Sequence, residues 1–225
     1  MKLYKENLKK LTKSNVYHPS MEHDACGVGL VVSTNGKKSR KIVEHGIEAL
    51  KAVWHRGAVD ADGKTGDGAG IHIEISKDFF REKIENYDRK YDGGEICVGM
   101  VFLPRNDYNS QEKCKTIIET ELLNRNYYIY RWRQVPIDPS ILGAKAEFTR
   151  PEIAQVIFKS NNKNLKNKEL ERELYLIRRT IEKKALKSQL KDFYICSFSS
   201  KSIIYKGMFL AEQLSNFYPD IQDKR

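Results

Sequence analysis

Cys26-Gly27-Val28-Gly29-Leu30-Val31-Val32-Ser33 opens the stretch that decides the fold, and Thr65-Gly66-Asp67-Gly68-Ala69-Gly70 closes it, with His55-Arg56-Gly57-Ala58 between them. A cysteine followed at once by glycine, at the head of an apolar run, stands where a nucleophile at the start of a strand would stand. Residues 27–33 are β-branched and end at Asn35-Gly36, which predicts a short strand and a tight turn. Ile42, Val43, Ile47, Leu50, Val53 and Trp54 then recur at a helical period. That helix is expected to end at Arg56-Gly57, where glycine permits a left-handed cap. Residues 57–70 are dense in glycine and aspartate and predict a loop. A loop that folds back over the cysteine would suit attack on an amide.

Working outward, Ile71-His72-Ile73-Glu74-Ile75 alternates as a strand with one buried face. A short helix is expected over 77–86 and a turn at Asp92-Gly93-Gly94. Residues 96–103 form an apolar strand that Pro104 terminates, and 111–125 an amphipathic helix on Cys114, Ile117, Ile118 and Leu122. Strands are expected at 127–135 and 155–159. A long helix over 167–188 carries Leu170, Leu174, Ile177, Ile181 and Ala185 on one face. Two closing strands, 193–199 and 202–207, are separated by Ser200-Lys201 and read as a hairpin. Residues 1–20 read as an extension or loop, since Pro19 disfavours helix at His18. Strands in antiparallel pairs with helices in twos predict an α+β layered domain.

Composition narrows the class. Of 225 residues, 40% are hydrophobic and 31% charged, enough for a core beneath a hydrated surface. No apolar run approaches the roughly 18 residues that span a membrane, and the lysine-rich start lacks the apolar core of a secretory signal. A cytoplasmic protein with reduced thiols is expected. Cys26, Cys97, Cys114 and Cys196 form no close pairs, and His18, His23 and Cys26 are too few for a zinc site, so no metal is expected. The net charge of +10 invites a nucleic-acid reading. Yet the densest basic stretch, 162–191, interleaves its charges with glutamates and offers a single aromatic, Tyr175, for stacking. Neither nucleic acid nor a membrane is expected as a partner.

The thiolate is the attacking form of cysteine, so Cys26 needs a base. No Cys-His pair is evident, although His23, His45, His55 and His72 are candidates. A second route makes the cysteine residue one, with its own α-amine, titrating near ~7.7–8.0, as the base. That route requires removal of residues 1–25. The plainer alternative is a small buried thiol at a strand start. Phosphate binding fits poorly. Gly63-Lys64-Thr65 resembles the end of a phosphate-binding loop but has Ala58 where glycine is needed, and Gly66-x-Gly68-x-Gly70 meets Ile71 where a dinucleotide fingerprint needs glycine.

The stretches 24–30, 55–58 and Asp60-x-Asp62-Gly63-Lys64-Thr65-Gly66-Asp67-Gly68-Ala69-Gly70 together resemble the glutaminase domain of the glutamate synthase large subunit. Class II amidotransferases share the Cys-Gly start and the Arg-Gly turn. The likeness extends through Val98-Gly99-Met100, Trp132-Arg133-x-Val135-Pro136, Arg178-Arg179-x-Ile181-Glu182 and Ile204-Tyr205-Lys206-Gly207-Met208. It implies an N-terminal nucleophile hydrolase fold, a four-layer αββα sandwich, with residues 1–25 as a propeptide and 26–225 as a partial amidotransferase domain. By that resemblance Cys26 is catalytic and attacks the glutamine side-chain amide, Arg56 helps bind substrate, and Gly27, His55, Gly57 and Asp67 support the site. No cofactor is implied for this segment. FMN and an iron–sulfur cluster are implied for a full-length enzyme that aminates 2-oxoglutarate, together with the rest of the large subunit and a small electron-transfer subunit. The family's Arg-(Tyr/Phe)-Ser-Thr-Asn and His-Asn-Gly-Glu motifs do not occur here. The sequence is therefore expected to be truncated, the fold incomplete, and the chain poorly active alone.

Overall fold

A computed structural model describes residues 2–14, 27–54, 57–87 and 89–225. Cys26, His55 and Arg56 lie outside the described residues, as does the stretch from Asn15 to Ala25.

The core is a four-stranded antiparallel sheet in the order β3-β4-β2-β5, built from β2 (Cys97–Leu103), β3 (Tyr127–Gln134), β4 (Glu152–Ser160) and β5 (Tyr194–Ser199). Side chains alternate across a strand, so each face of this sheet serves a different layer. Cys97, Val101, Leu103, Ala154, Val156 and Phe158 face helices α4 (Tyr108–Asn124) and α6 (Asn167–Lys187). The α6 residues Leu170, Leu174, Ile177 and Ile181 are fully buried against that face, as their spacing predicts. Val98, Met100, Ile153 and Ile157 point the other way, into a second core shared with Ile203 and Tyr205. Those two residues belong to a separate two-stranded antiparallel sheet, β1 (Ala69–Glu74) with β6 (Ser202–Gly207), in the register Ile71↔Tyr205 and Ile73↔Ile203. Helix α2 (Arg40–Ala52) packs beside β1, with Gly46 close to the Ile71 side chain, and α3 (Lys77–Glu85) adds Phe79, Phe80 and Ile84 to the same core.

Four sequence expectations need correction. Strands β5 and β6 are not a hairpin: β5 pairs with β2 and β6 with β1, so Ser200-Lys201 carries the chain from one sheet to the other. The reason lies in the side chains. Glu171 on α6 accepts hydrogen bonds from the Ser199 hydroxyl and from both the N–H and the hydroxyl of Ser200. The Ser199 oxygen in turn accepts from the N–H groups of Lys201 and Ser202. These bonds hold an arch in which strand-to-strand backbone pairing is replaced by Ile204 N–H donating to the Ser197 hydroxyl.

Residues 27–33 form no strand. A strand needs a neighbour, none of the described strands pairs with this segment, and Val28, Leu30 and Val32 are 91%, 85% and 65% exposed. The tight turn is present, with Gly36 N–H donating to Ser33 C=O at φ +68°. Residues 2–14 are a helix, α1 (Lys2–Ser14), where a loop was expected. Their lysines, leucines and glutamate are good helix formers, and Pro19 acts only on the residue before it. Helix α2 stops at Ala52, so Gly57 is not its cap and is not left-handed. A short helix the sequence did not announce, α5 (Ala144–Thr149), follows Gly143.

Candidate active site

The glycine-rich segment 57–68 is a structured loop with two limbs. An isolated bridge joins Val59 to Gly66, Asp60 N–H donates to Thr65 C=O at 2.8 Å, and Asp67 N–H donates to Ala58 C=O at 3.3 Å. The tip turns on Asp62. Its carboxylate accepts from Lys64 N–H (2.9 Å), Thr65 N–H (2.7 Å) and the Thr65 hydroxyl (2.6 Å), the local bonding that suits aspartate to turns. The Thr65 hydroxyl and these two N–H groups together hold the Asp62 carboxyl well below the usual carboxylate range.

Phosphate binding finds no support in this geometry. A phosphate cradle needs N–H groups turned outward. Here those of Asp60, Ala61, Gly63, Lys64, Thr65 and Asp67 are all spent on carbonyls or carboxylates of the loop itself. The loop is built to hold its own shape.

Two other parts of the chain fix that shape. Gly143 and α5 lie under the tip: a Cβ at Gly143 would overlap Asp62 and Thr65, reaching 2.6 Å from Thr65 N. Thr65 is 2% exposed, and its hydroxyl oxygen accepts from Ala146 N–H at 3.4 Å. Lys145 Nζ reaches Asp60 Oδ2 at 2.6 Å, which lowers the Asp60 carboxyl and raises the Lys145 ammonium. Gly66 sits on the backbone of Phe209-Leu210, where a Cβ would come within 2.7 Å of the Phe209 carbonyl.

Of the expected supporting residues, the fold brings Gly57 and Asp67 together on the open side. A Cβ on Gly57 would lie 3.5 Å from Asp67 Oδ1, and both residues are exposed. Gly27 is exposed as well. Cys26, Arg56 and His55 fall on residues the structure does not describe. Thr65, Gly143 and Lys145 were not singled out as site residues. The spacing Asp62-x-x-Thr65 was the signal that could have found the first of them, as a side-chain-capped turn.

The remaining thiols are unsuited to chemistry. Cys97, Cys114 and Cys196 are buried, and burial pushes their thiols upward, to about 11 for Cys114 and Cys196 and further for Cys97. A nucleophilic cysteine needs the opposite shift. Among the described residues no cluster of three His, Cys, Asp or Glu side chains is placed to hold a metal ion, and no helix is long and apolar enough to cross a membrane.

The described residues thus form antiparallel sheets layered with helices, with an ordered Gly-Asp loop downstream of the Cys-Gly start. The model for class-II glutamine amidotransferases matches residues 26–225, a span that begins at Cys26, and the chain belongs to that family. Within it the similarity runs to glutamate synthases. The chain is 55% identical over 222 residues to "Glutamate synthase [NADPH] large chain" of Azospirillum brasilense, covering 99% of this chain and 15% of that protein. It is 39% identical to "Ferredoxin-dependent glutamate synthase" of Antithamnion sp., over 92% of this chain and 14% of the relative. A third relative, "Glutamate synthase [NADPH] large chain" of Bacillus subtilis (strain 168), is 35% identical over 93% of this chain and 14% of its own length. The chain thus spans about one-seventh of the length of these relatives.

Proposed function

We propose that this chain is the glutamine-hydrolysing portion of a glutamate synthase, with Cys26 as its nucleophile. The observation that carries the reading is the family match beginning at Cys26, and the burial of the other three thiols supports it, since they leave one cysteine free to act. In the proposed reaction residues 1–25, including α1, are removed and Cys26 becomes residue one. Its α-amine takes the thiol proton as sulfur attacks the side-chain amide carbon of glutamine. The tetrahedral adduct expels the amide nitrogen, which leaves as ammonia with that proton. Water then cleaves the glutamyl thioester, giving glutamate and restoring the thiol. Arg56 is proposed to bind the substrate, with Gly27, His55, Gly57 and Asp67 around it.

The four-layer αββα sandwich is likewise proposed. Two stacked sheets with α4 and α6 outside one of them support it. In the larger relatives the ammonia would aminate 2-oxoglutarate, and FMN and an iron–sulfur cluster would supply the electrons. The described cysteines are buried in the two cores and form no cluster seat, so the iron–sulfur cluster is not assigned to them, and no step here runs through either group. Other segments of the large subunit and a small electron-transfer subunit are the proposed partners, in the cytoplasm.

The test is intact-mass analysis after exposure to a diazoketone analogue of glutamine. One adduct at Cys26 on a chain lacking residues 1–25 supports the proposal. A Cys26→Ala variant that still releases ammonia from glutamine would refute it.

A further inference from the structure

We propose that the outer face of α6 is a docking surface for an acidic amphipathic helix of a partner protein. Along the sequence α6 mixes its cations with glutamates, but the folded helix sorts them. Leu170, Leu174, Ile177, Ile181 and Ala185 turn to the sheet. At 3.6 residues per turn, Lys168, Arg172, Arg179, Lys183 and Lys187 then fall on the side facing away, and all five are exposed. Most of the glutamates stand off that side. Glu171 is engaged by Ser199 and Ser200 in the arch, Glu173 is half-buried, and Glu182 is shared between Arg178 and Arg179. Glu169, in the first turn, is the one exposed acid of the helix. The ion pairs of α6 run through Arg178, Arg179 and Lys184, so among the described residues Lys168, Arg172, Lys183 and Lys187 have no carboxylate partner.

Charge alone would make a hydrated face, and this face is not purely hydrated. Tyr175, Leu176 and Leu186 stand among the cations at 59%, 46% and 79% exposure. Leu176 and Leu186 are separated by about 15 Å along the helix, nearly three turns, with Arg179 and Lys183 between them. Exposed Leu123 of α4 lies at the Leu186 end, because Glu121 of α4 pairs with Lys184. A helix with apolar residues at the same interval and carboxylates between them meets both sets at once, apolar to apolar and carboxylate to cation. Other occupants fit less well. A second copy of this chain would bring the same unpaired cations against them. Nucleic-acid bases stack on aromatic platforms, and Tyr175 is the single aromatic residue of α6. A lipid surface takes an apolar face set apart from the charged one, whereas here leucines and cations share one side.

The probe is a fluorescein-labelled synthetic helix of glutamate and leucine, its leucines on one face, titrated with the full chain at low salt and read by anisotropy. A poly-glutamate peptide of equal length, a single-stranded oligonucleotide and phosphatidylglycerol vesicles are titrated beside it. The glutamate–leucine helix is expected to bind most tightly and to weaken as salt rises. Arg172→Glu with Lys183→Glu is expected to weaken it about tenfold, the order that a few exposed charge pairs supply. Lys37→Glu with Lys224→Glu makes the same change in net charge at exposed sites elsewhere and is expected to leave affinity within about twofold. Leu176→Ser with Leu186→Ser changes no charge and is expected to weaken binding about fivefold through the lost apolar contact. Arg172→Gln with Lys183→Gln is expected to give an intermediate loss, which keeps the test readable where reversed charges disturb the helix. The proposal is overturned by an absence of binding at low salt, or by an equal loss in the Lys37–Lys224 variant. It is equally overturned if poly-glutamate, the oligonucleotide or the vesicles bind as tightly as the glutamate–leucine helix.

Discussion

Arg133 and Asp220 stand 87 residues apart and meet through two parallel hydrogen bonds of 2.6 Å, Nη1 to Oδ2 and Nη2 to Oδ1. Gln155 completes the arrangement by accepting from Arg133 Nη1 at 2.8 Å, while its amide reaches the Tyr205 hydroxyl. Strand β3, strand β4, strand β6 and the segment after α7 (Leu214–Phe217) are thereby tied at one buried point.

Breaking a buried pair leaves the surviving charge without a partner, at about 3–5 kcal/mol, whereas replacing both members with apolar groups costs far less. Asp220→Ala is therefore expected to lower stability by about that amount. The double change Arg133→Met with Asp220→Leu is expected to lose less than the single one. Urea denaturation monitored by tryptophan fluorescence checks both, and a single variant as stable as wild type contradicts the account.

Gly99 illustrates a different constraint. A Cβ there would lie 2.7 Å from the Phe198 ring and 2.8 Å from Val156 Cγ1, inside the four-stranded sheet. Gly99→Ala is expected to cost about 1–3 kcal/mol through overpacking. Pairing the change with Phe198→Leu, which draws the ring away, is expected to recover part of the loss in the same denaturation experiment.

The arch between the sheets depends on one carboxylate. Glu171→Ala removes the acceptor for the Ser199 hydroxyl and for the N–H and hydroxyl of Ser200, two residues that are buried. Unsatisfied buried donors cost about 1–3 kcal/mol. Hydrogen exchange is expected to accelerate at residues 199–203 in the variant while β2 and β4 keep their protection. Uniform acceleration would show that the arch has no local role.

Much of this architecture was legible beforehand. The stripe from Leu170 to Ala185 named α6 and its buried face, and the alternation of Ile71, Ile73 and Ile75 marked β1, because period alone separates helix from strand. Periodicity is silent on which strand pairs with which, so β5 and β6 read as a hairpin when Glu171, distant in sequence, turns them into an arch. The apolar run 27–33 had strand composition, yet pairing depends on a neighbour that composition cannot supply. The Gly-Asp loop was recognisable as a loop, and Gly57 and Asp67 do come together. Its support from Gly143 and Lys145 is a tertiary contact with no local signature.

The loop clasp also carries a pH signature. The Asp62 carboxyl is held below its usual range by hydrogen bonds that form only in the folded chain. A depressed folded value means that the contribution is complete above the unfolded pKa, near ~3.9, and is lost as the pH falls below that toward the folded value. The melting-temperature gap between wild type and Asp62→Asn is therefore expected to be constant from pH 7 to about pH 5 and to narrow below about pH 4. A gap that widens on acidification would reverse the sign and dismiss the clasp as the source.

Thiol counting gives the last prediction. The chain has four cysteines, and the three described ones are buried with raised thiol pKa values. Desolvation opposes the thiolate, so these sulfurs react only when the cores open. An aromatic disulfide reagent at pH 8 is expected to titrate one thiol rapidly in the native chain and four in guanidinium. The single fast thiol should map to Cys26 by peptide mass, and its reactivity should vanish in Cys26→Ala while the slow class is unchanged. Two or more fast thiols in the native chain would mean that a sheet core is open on the reaction timescale, since Cys97 on β2 and Cys114 on the buried face of α4 share the core beneath α4 and α6, and Cys196 lies between the sheets. No fast thiol at all would place Cys26 among the buried cysteines and count against its role as the nucleophile.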